Sequence, residues 1–65
     1  MRDRIKAMVH ELVVGETYKI RWQTSDGPVL VPMTLRGIYR YGGLFETERG
    51  VREFYNWPEL VERKA

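Results

Sequence analysis

The sequence contains no cysteine and a single histidine, His10. Without thiols there are no disulfide staples, no thiolate metal site and no thiol nucleophile, which fits a reducing compartment. One imidazole cannot assemble a histidine-rich metal site. No apolar run approaches the roughly 20 residues of a membrane span, and the opening "MRDRIKAMVHELVVGE" has neither the h-region nor the cleavage site of a signal peptide. The expectation is a soluble cytoplasmic protein with no membrane partner, no metal and no cofactor. Gly42-Gly43 lacks the following Lys and Ser or Thr of a phosphate loop. An excess of one charge is also missing: eleven Lys and Arg stand against nine Asp and Glu, a net +2, which permits nucleic acid without demanding it.

A chain of 65 residues makes one domain, residues 1–65, and a domain of this size buries only about 60% of the surface its unfolded chain exposes. Apolar burial then barely exceeds the cost of ordering the chain. Oligomerisation or a partner therefore matters to its stability.

Along the chain, Ile5, Met8, Val9 and Leu12 fall at the spacing of one helical face, predicting a short N-terminal helix over residues 1–12. Met8, His10 and Leu12 also alternate, so an early strand is the competing reading. His10 sits on the polar side of the helix and is expected in solvent. "TYKIRW" alternates with Tyr18, Ile20 and Trp22 on one face, and "TSDGP" marks a turn. In "VLVPMTLRGIYRY", Val29, Val31, Met33 and Leu35 point one way, Pro32 places its part of the strand at an edge or bulge, and Gly37 marks a bulge or bend. Either Ile38 or Tyr39 then faces the core. Gly42-Gly43 signals a hairpin, "LFET" a strand, "ERG" a tight turn and "VREFY" the last strand. Asn56 and Glu59 have the spacing of a helix cap, with Asn56 accepting from the third helical amide and Glu59 reaching back. A C-terminal helical turn follows, and residues 61–65 form a tail that frays. Ile20, Trp22, Val31 and Leu44 are expected to be buried. The fold class is mainly β: a small SH3-like, partly open antiparallel barrel with a short N-terminal helix and a C-terminal helical turn. A smaller open sheet on the N-terminal helix is second.

The order "RIKAM", "VGETYKI", "RGIYRYGGLFETE", "VREFYNWPELV" resembles the Veg-like family of small bacterial barrels, through Gly15, Gly37, Ile38, Phe45, Arg52, Tyr55, Trp57, Glu59 and Leu60. Glu59 stands where that family usually has Asp, and Trp57 where it has Tyr. The chain departs from the family in its compact Gly-Gly hairpin and in lacking a further C-terminal strand. The resemblance implies a regulatory protein that acts through contact with another protein, a repressor in the family's case, and without enzyme activity.

The aromatic and basic residues of the second half have two readings. In one, Phe45, Phe54 and Trp57 are core and Tyr39, Tyr41 and Tyr55 pack at the rim. In the other, Tyr39, Arg40, Tyr41, Arg52, Tyr55 and a half-exposed Trp57 form a binding surface, extended by Lys19 and Arg21 if nucleic acid is bound. Lys19, Arg21, Arg36, Arg40 and Arg52 share an outer face only if Gly37 leaves the alternation unbroken, and Glu46, Glu48 and Glu53 on neighbouring strands would interleave with them. "RGIYRY" begins like an RNA-recognition signature, which Ile38 and Arg40 then break. Catalysis by the three glutamates would need a concave site that so small a barrel has little room for. The sequence thus predicts a non-enzymatic binding module of a bacterial or phage cytoplasm with no catalytic residues. Its partner is first a protein and second a nucleic acid; a weakly self-associating structural subunit is third.

Overall fold

In the computed structural model, which describes residues 2–65, the N-terminal apolar spacing does form a helix, α1 (Arg2–Glu11). Met8 and Leu12 are buried, Ile5 and Val9 pack beside them, and His10 is exposed. Met1, part of the expected helix, lies outside the described residues. Four strands follow, β1 (Thr17–Thr24), β2 (Gly27–Ile38), β3 (Gly42–Thr47) and β4 (Arg52–Asn56), then α2 (Trp57–Arg63). The strands pair antiparallel in chain order, and the sheet curls into a half-barrel whose concave side holds the core.

Tyr18, Ile20 and Trp22 pair with Met33, Val31 and Val29, so the alternation of both strands places one apolar set on the inner face. Ile20 is fully buried, whereas Trp22 and Val31 are only half-buried at the barrel's end. Pro32 falls just beyond Met33, the last β2 residue paired with β3, here with Thr47. Leu35 donates its amide to Glu16 of the preceding turn. Ladder alternation from that bond puts the nitrogens of Pro32 and Pro28 on the side away from β1. Proline thus sits where the ladder needs no donor.

The β2–β3 register slips between Leu35 and Gly37, making Arg36 the extra residue of a bulge. Beyond it, Ile38 pairs with Gly43 on the core side but stays exposed at the rim. Tyr39 turns outward and its ring folds over Gly37, where an added Cβ would meet it at 2.8 Å. The expected Gly42-Gly43 hairpin is not the turn. Residues 39–41 make the connection, closed by the Tyr39 amide donating to the Gly42 carbonyl, and both glycines lie inside β3. They are there because their neighbours come close: Gly42 faces the Tyr55 backbone and the Phe54 ring, Gly43 the side chains of Phe45 and Leu35.

Asn56 caps α2 as expected, accepting from the Glu59 amide at 2.8 Å. The Glu59 carboxylate does not close the capping box but takes Arg63 Nε at 3.0 Å. Trp57 and Leu60 of α2 join Met8, Leu12, Ile20, Met33, Leu35, Phe45 and Tyr55 in one core. The expected frayed tail is instead tied down. Lys64 bridges to Ile20, the Ala65 amide donates to the Lys19 carbonyl at 3.0 Å, and Arg63 Nη1 donates to the Arg21 carbonyl at 3.1 Å. It covers the middle of the outer edge of β1.

At Gly42 an added Cβ would run into the Tyr55 carbonyl oxygen, a backbone atom that cannot step aside. Gly42→Ala should therefore destabilise the protein by about 1–3 kcal/mol, the range of core overpacking. Gly43→Ala, which meets only side chains, should cost less; urea melts of both variants give the comparison.

Candidate functional site

The helices pack only on the inner face, so the outer face of the sheet is left to solvent. Its strand positions are set by the registers: Lys19 beside Pro32, Arg21 beside Leu30, Thr17 beside Thr34, then Glu46 beside Arg52 and Leu44 beside Phe54. Arg36 projects from the bulge onto the same side, where its Nε lies 3.4 Å from Glu46 Oε1 and Arg52 Nε lies 3.6 Å from Glu46 Oε2. Among the described residues, four cations thus share this face with one carboxylate. Because the whole chain carries only +2, the excess of positive charge is gathered here and the remainder is slightly negative.

The expected interleaving with acids is mostly absent. Glu48 lies in the β3–β4 turn, and Glu53 pairs with Phe45 on the inner side of β4, leaving Glu46 alone among the outer-face cations. The three glutamates therefore do not converge on one site.

At the other end of the face lie aromatic rings. Tyr39 is 55% exposed and Phe54 51% exposed, their centroids 6.3 Å apart and their planes tilted by 51°. Each lies over a glycine, Tyr39 over Gly37 and Phe54 over Gly42, so no Cβ lifts the ring from the backbone. Both rings remain half-exposed beside Leu44. Tyr41 is 70% exposed in the adjoining turn, with the Arg40 guanidinium 5.4 Å from its ring centroid.

Of the residues singled out from the sequence, Lys19, Arg21 and Arg52 share the outer face, Tyr39 stands beside them, and Arg40 and Tyr41 form the turn at that end. Tyr55 and Trp57 do not belong to the surface. Tyr55 is 6% exposed and Trp57 9% exposed, because the alternation of β4 and the start of α2 aim both at the core. Their polar atoms are satisfied inside: Trp22 Nε1 donates to the Tyr55 hydroxyl at 2.9 Å, and Trp57 Nε1 donates to the Arg40 carbonyl at 3.0 Å. Phe54, assigned to the core from its type, is the surface residue instead. The signal was present in "REFYN", where strict alternation sets Arg52, Phe54 and Asn56 opposite Glu53 and Tyr55. Leu44, expected buried, shares the outer side with Phe54 and is half-buried.

Two open clefts flank the sheet. One, about 360 Å³, is lined by Trp22, Val31, Pro32 and Val51 with Glu48 and Arg49 at its rim. The other, about 400 Å³, runs along β4 between Trp22, Glu53 and Tyr55 on one side and Glu59 and Arg63 on the other. Comparison of the chain with protein-family models, with curated proteins and with solved structures returns no match.

Burial pushes the Tyr55 hydroxyl above its ordinary value of 10.0, partly offset by the hydrogen bond from Trp22. A raised folded-state value means that the neutral phenol stabilises the fold below about pH 10 and that this contribution is lost as pH rises through the folded value. Tyr55→Phe should be less stable by about 1 kcal/mol at neutral pH, having lost the acceptor for Trp22. It should also lose less stability than the parent protein between about pH 9 and pH 11. Thermal melts across that range check both.

Proposed function

We propose that the protein is a non-enzymatic binding module whose outer sheet face takes a single-stranded nucleic acid. One observation carries this reading: the exposed rings of Tyr39 and Phe54 lie on the same face as Lys19, Arg21, Arg36 and Arg52, with only Glu46 opposing them. Bases stack on aromatic faces without regard to sequence, while a basic surface follows the phosphates. The chemistry of such a strand, flat apolar rings alternating with negative charge, matches both halves of the face. The arrangement calls for no concave pocket, only for exposed rings with cations nearby.

A second reading, a regulator that binds another protein, is favoured by the apolar character of Tyr39, Leu44 and Phe54 on the outer face and by the resemblance to the Veg-like family. It loses its strongest anchor with Trp57 in the core, since interface hot spots depend on aromatic side chains that a partner can bury.

The two readings separate on salt dependence. Binding of a fluorescent oligonucleotide should weaken with salt by about 0.7 log units per phosphate contact per log unit of salt. Alanine at Tyr39 or at Phe54 should cost about 1–3 kcal/mol of that affinity, the range for one stacked base. Both rings are exposed, so both variants should remain folded. Absence of oligonucleotide binding, together with a nuclease-resistant and salt-tolerant complex in extract that Phe54→Ala abolishes, would establish the protein-partner reading instead.

A further inference from the structure

The sheet is open, and its free edges differ. The middle of the outer edge of β1 is covered by the chain itself, with the Lys19 carbonyl accepting from the Ala65 amide and the Arg21 carbonyl from the Arg63 side chain. The stretch of β2 that extends past β3 points Pro28, Leu30 and Pro32 away from β1. Two of these three residues have no amide hydrogen to offer, a common way of blunting an edge.

β4 has neither protection. It is the last strand of the sheet. Thr47 donates to the Val51 carbonyl and Trp57 to the Tyr41 carbonyl, so ladder alternation turns Glu53 and Tyr55 toward β3. The amides of Arg52, Phe54 and Asn56 and the carbonyls of Arg52 and Phe54 then face outward, the Asn56 carbonyl being taken by the first turn of α2, and all three residues are exposed. Among the described residues no strand pairs with this side. α2 leaves the end of β4 for the concave side, where Trp57 and Leu60 are buried, and its Glu59 and Arg63 stand across an open cleft from Glu53, Phe54 and Tyr55.

We infer that β4 pairs antiparallel with β4 of a second copy of this chain, joining two half-barrels into one continuous sheet across a twofold axis. The occupant follows from the self-complementarity of the strand. A register centred on Phe54 brings the outward-facing residues into hydrogen-bonding pairs, Phe54 with its own mate and Arg52 with Asn56 of the other copy. Glu53 then faces Tyr55 across the axis on the inner side. No like charges meet. Centring on Glu53 would set two carboxylates directly opposite each other, which is unfavourable in a cross-strand pair, and centring on Tyr55 shortens the overlap. The favoured register also stacks two Phe54 side chains on the outer face, where each now stands half-exposed. The two outer faces become contiguous. This inference goes beyond the ligand class proposed for that face and stands or falls separately from it.

The test reads mass and amide exchange together, without any ligand. Sedimentation of the full chain at increasing concentration should pass from 7.7 kDa toward twice that mass. Over the same range the amides of Arg52, Phe54 and Asn56 should gain protection from hydrogen exchange, while those of Glu53 and Tyr55, already bonded to β3, stay protected throughout. Phe54→Pro removes an amide that the monomer does not use, and should give a folded monomer at all concentrations. Phe54→Ala keeps the amide and should still dimerise, more weakly. A chain that sediments at 7.7 kDa at all concentrations, with the Arg52 and Phe54 amides always unprotected, would overturn the inference. A dimer that Phe54→Pro leaves intact would overturn it equally.

Discussion

A sheet has two faces, and a chain this short supplies helices for only one of them. α1 and α2 both pack on the concave side, and the core they close is assembled from alternate residues of every strand. The seam of that closure is the hydrogen bond from Trp22 to Tyr55, which ties the first strand to the last across the open side of the half-barrel. Everything on the convex side is therefore uncovered. The exposure of Phe54, Leu30 and Tyr39 is a consequence of where the helices end, not of a failure to fold. Scattered exposed apolar residues are ordinary; a pair of neighbouring rings over glycines on a face rich in cations is a patch with its own chemistry.

Features governed by local chemistry were legible in the sequence. The alternation in "TYKIRW" placed Tyr18, Ile20 and Trp22 together, the Asn56 cap stands where its spacing put it, and Gly37 marks the bulge. Pro32 lies at an edge for the reason its missing donor implies. Features decided by distant contact were not. Gly42 and Gly43 look like a turn because glycine usually serves turns, yet they are needed where Phe54, Tyr55 and Phe45 crowd the strand. At Gly42 the crowding comes from Phe54 and Tyr55 of the next strand, which no local pattern brings to it. The tail was read as frayed since nothing near it in sequence holds it, whereas its partners are the carbonyls of β1.

The candidate surface was half legible for the same reason. Lys19, Arg21 and Arg52 follow from strand alternation and were found. Tyr55 and Trp57 were placed with them because aromatics near arginine resemble a binding surface by composition. Alternation was the better guide, since it sends Phe54 out and Tyr55 in whatever their neighbours are.

Glu46 is the one outer-face group that opposes the proposed ligand, and its hold on the arginines is weak. Its distances to Arg36 and Arg52 are 3.4 and 3.6 Å, and both arginine side chains are more than half exposed. Ion pairs of this kind contribute about 0–1 kcal/mol, since water and salt screen them. What Glu46 does provide is position: it stands between the two guanidinium groups and draws both toward the middle of the sheet. There they lie between the ring pair at one end and Lys19 and Arg21 at the other. A phosphate arriving on this face can draw either arginine from the carboxylate at little cost, because the contact it replaces was already solvent-exposed. In the proposed reading, then, Glu46 holds the cations in place while the site is empty and gives them up when it fills. In that reading the carboxylate keeps the charge beside the rings where a strand would meet it.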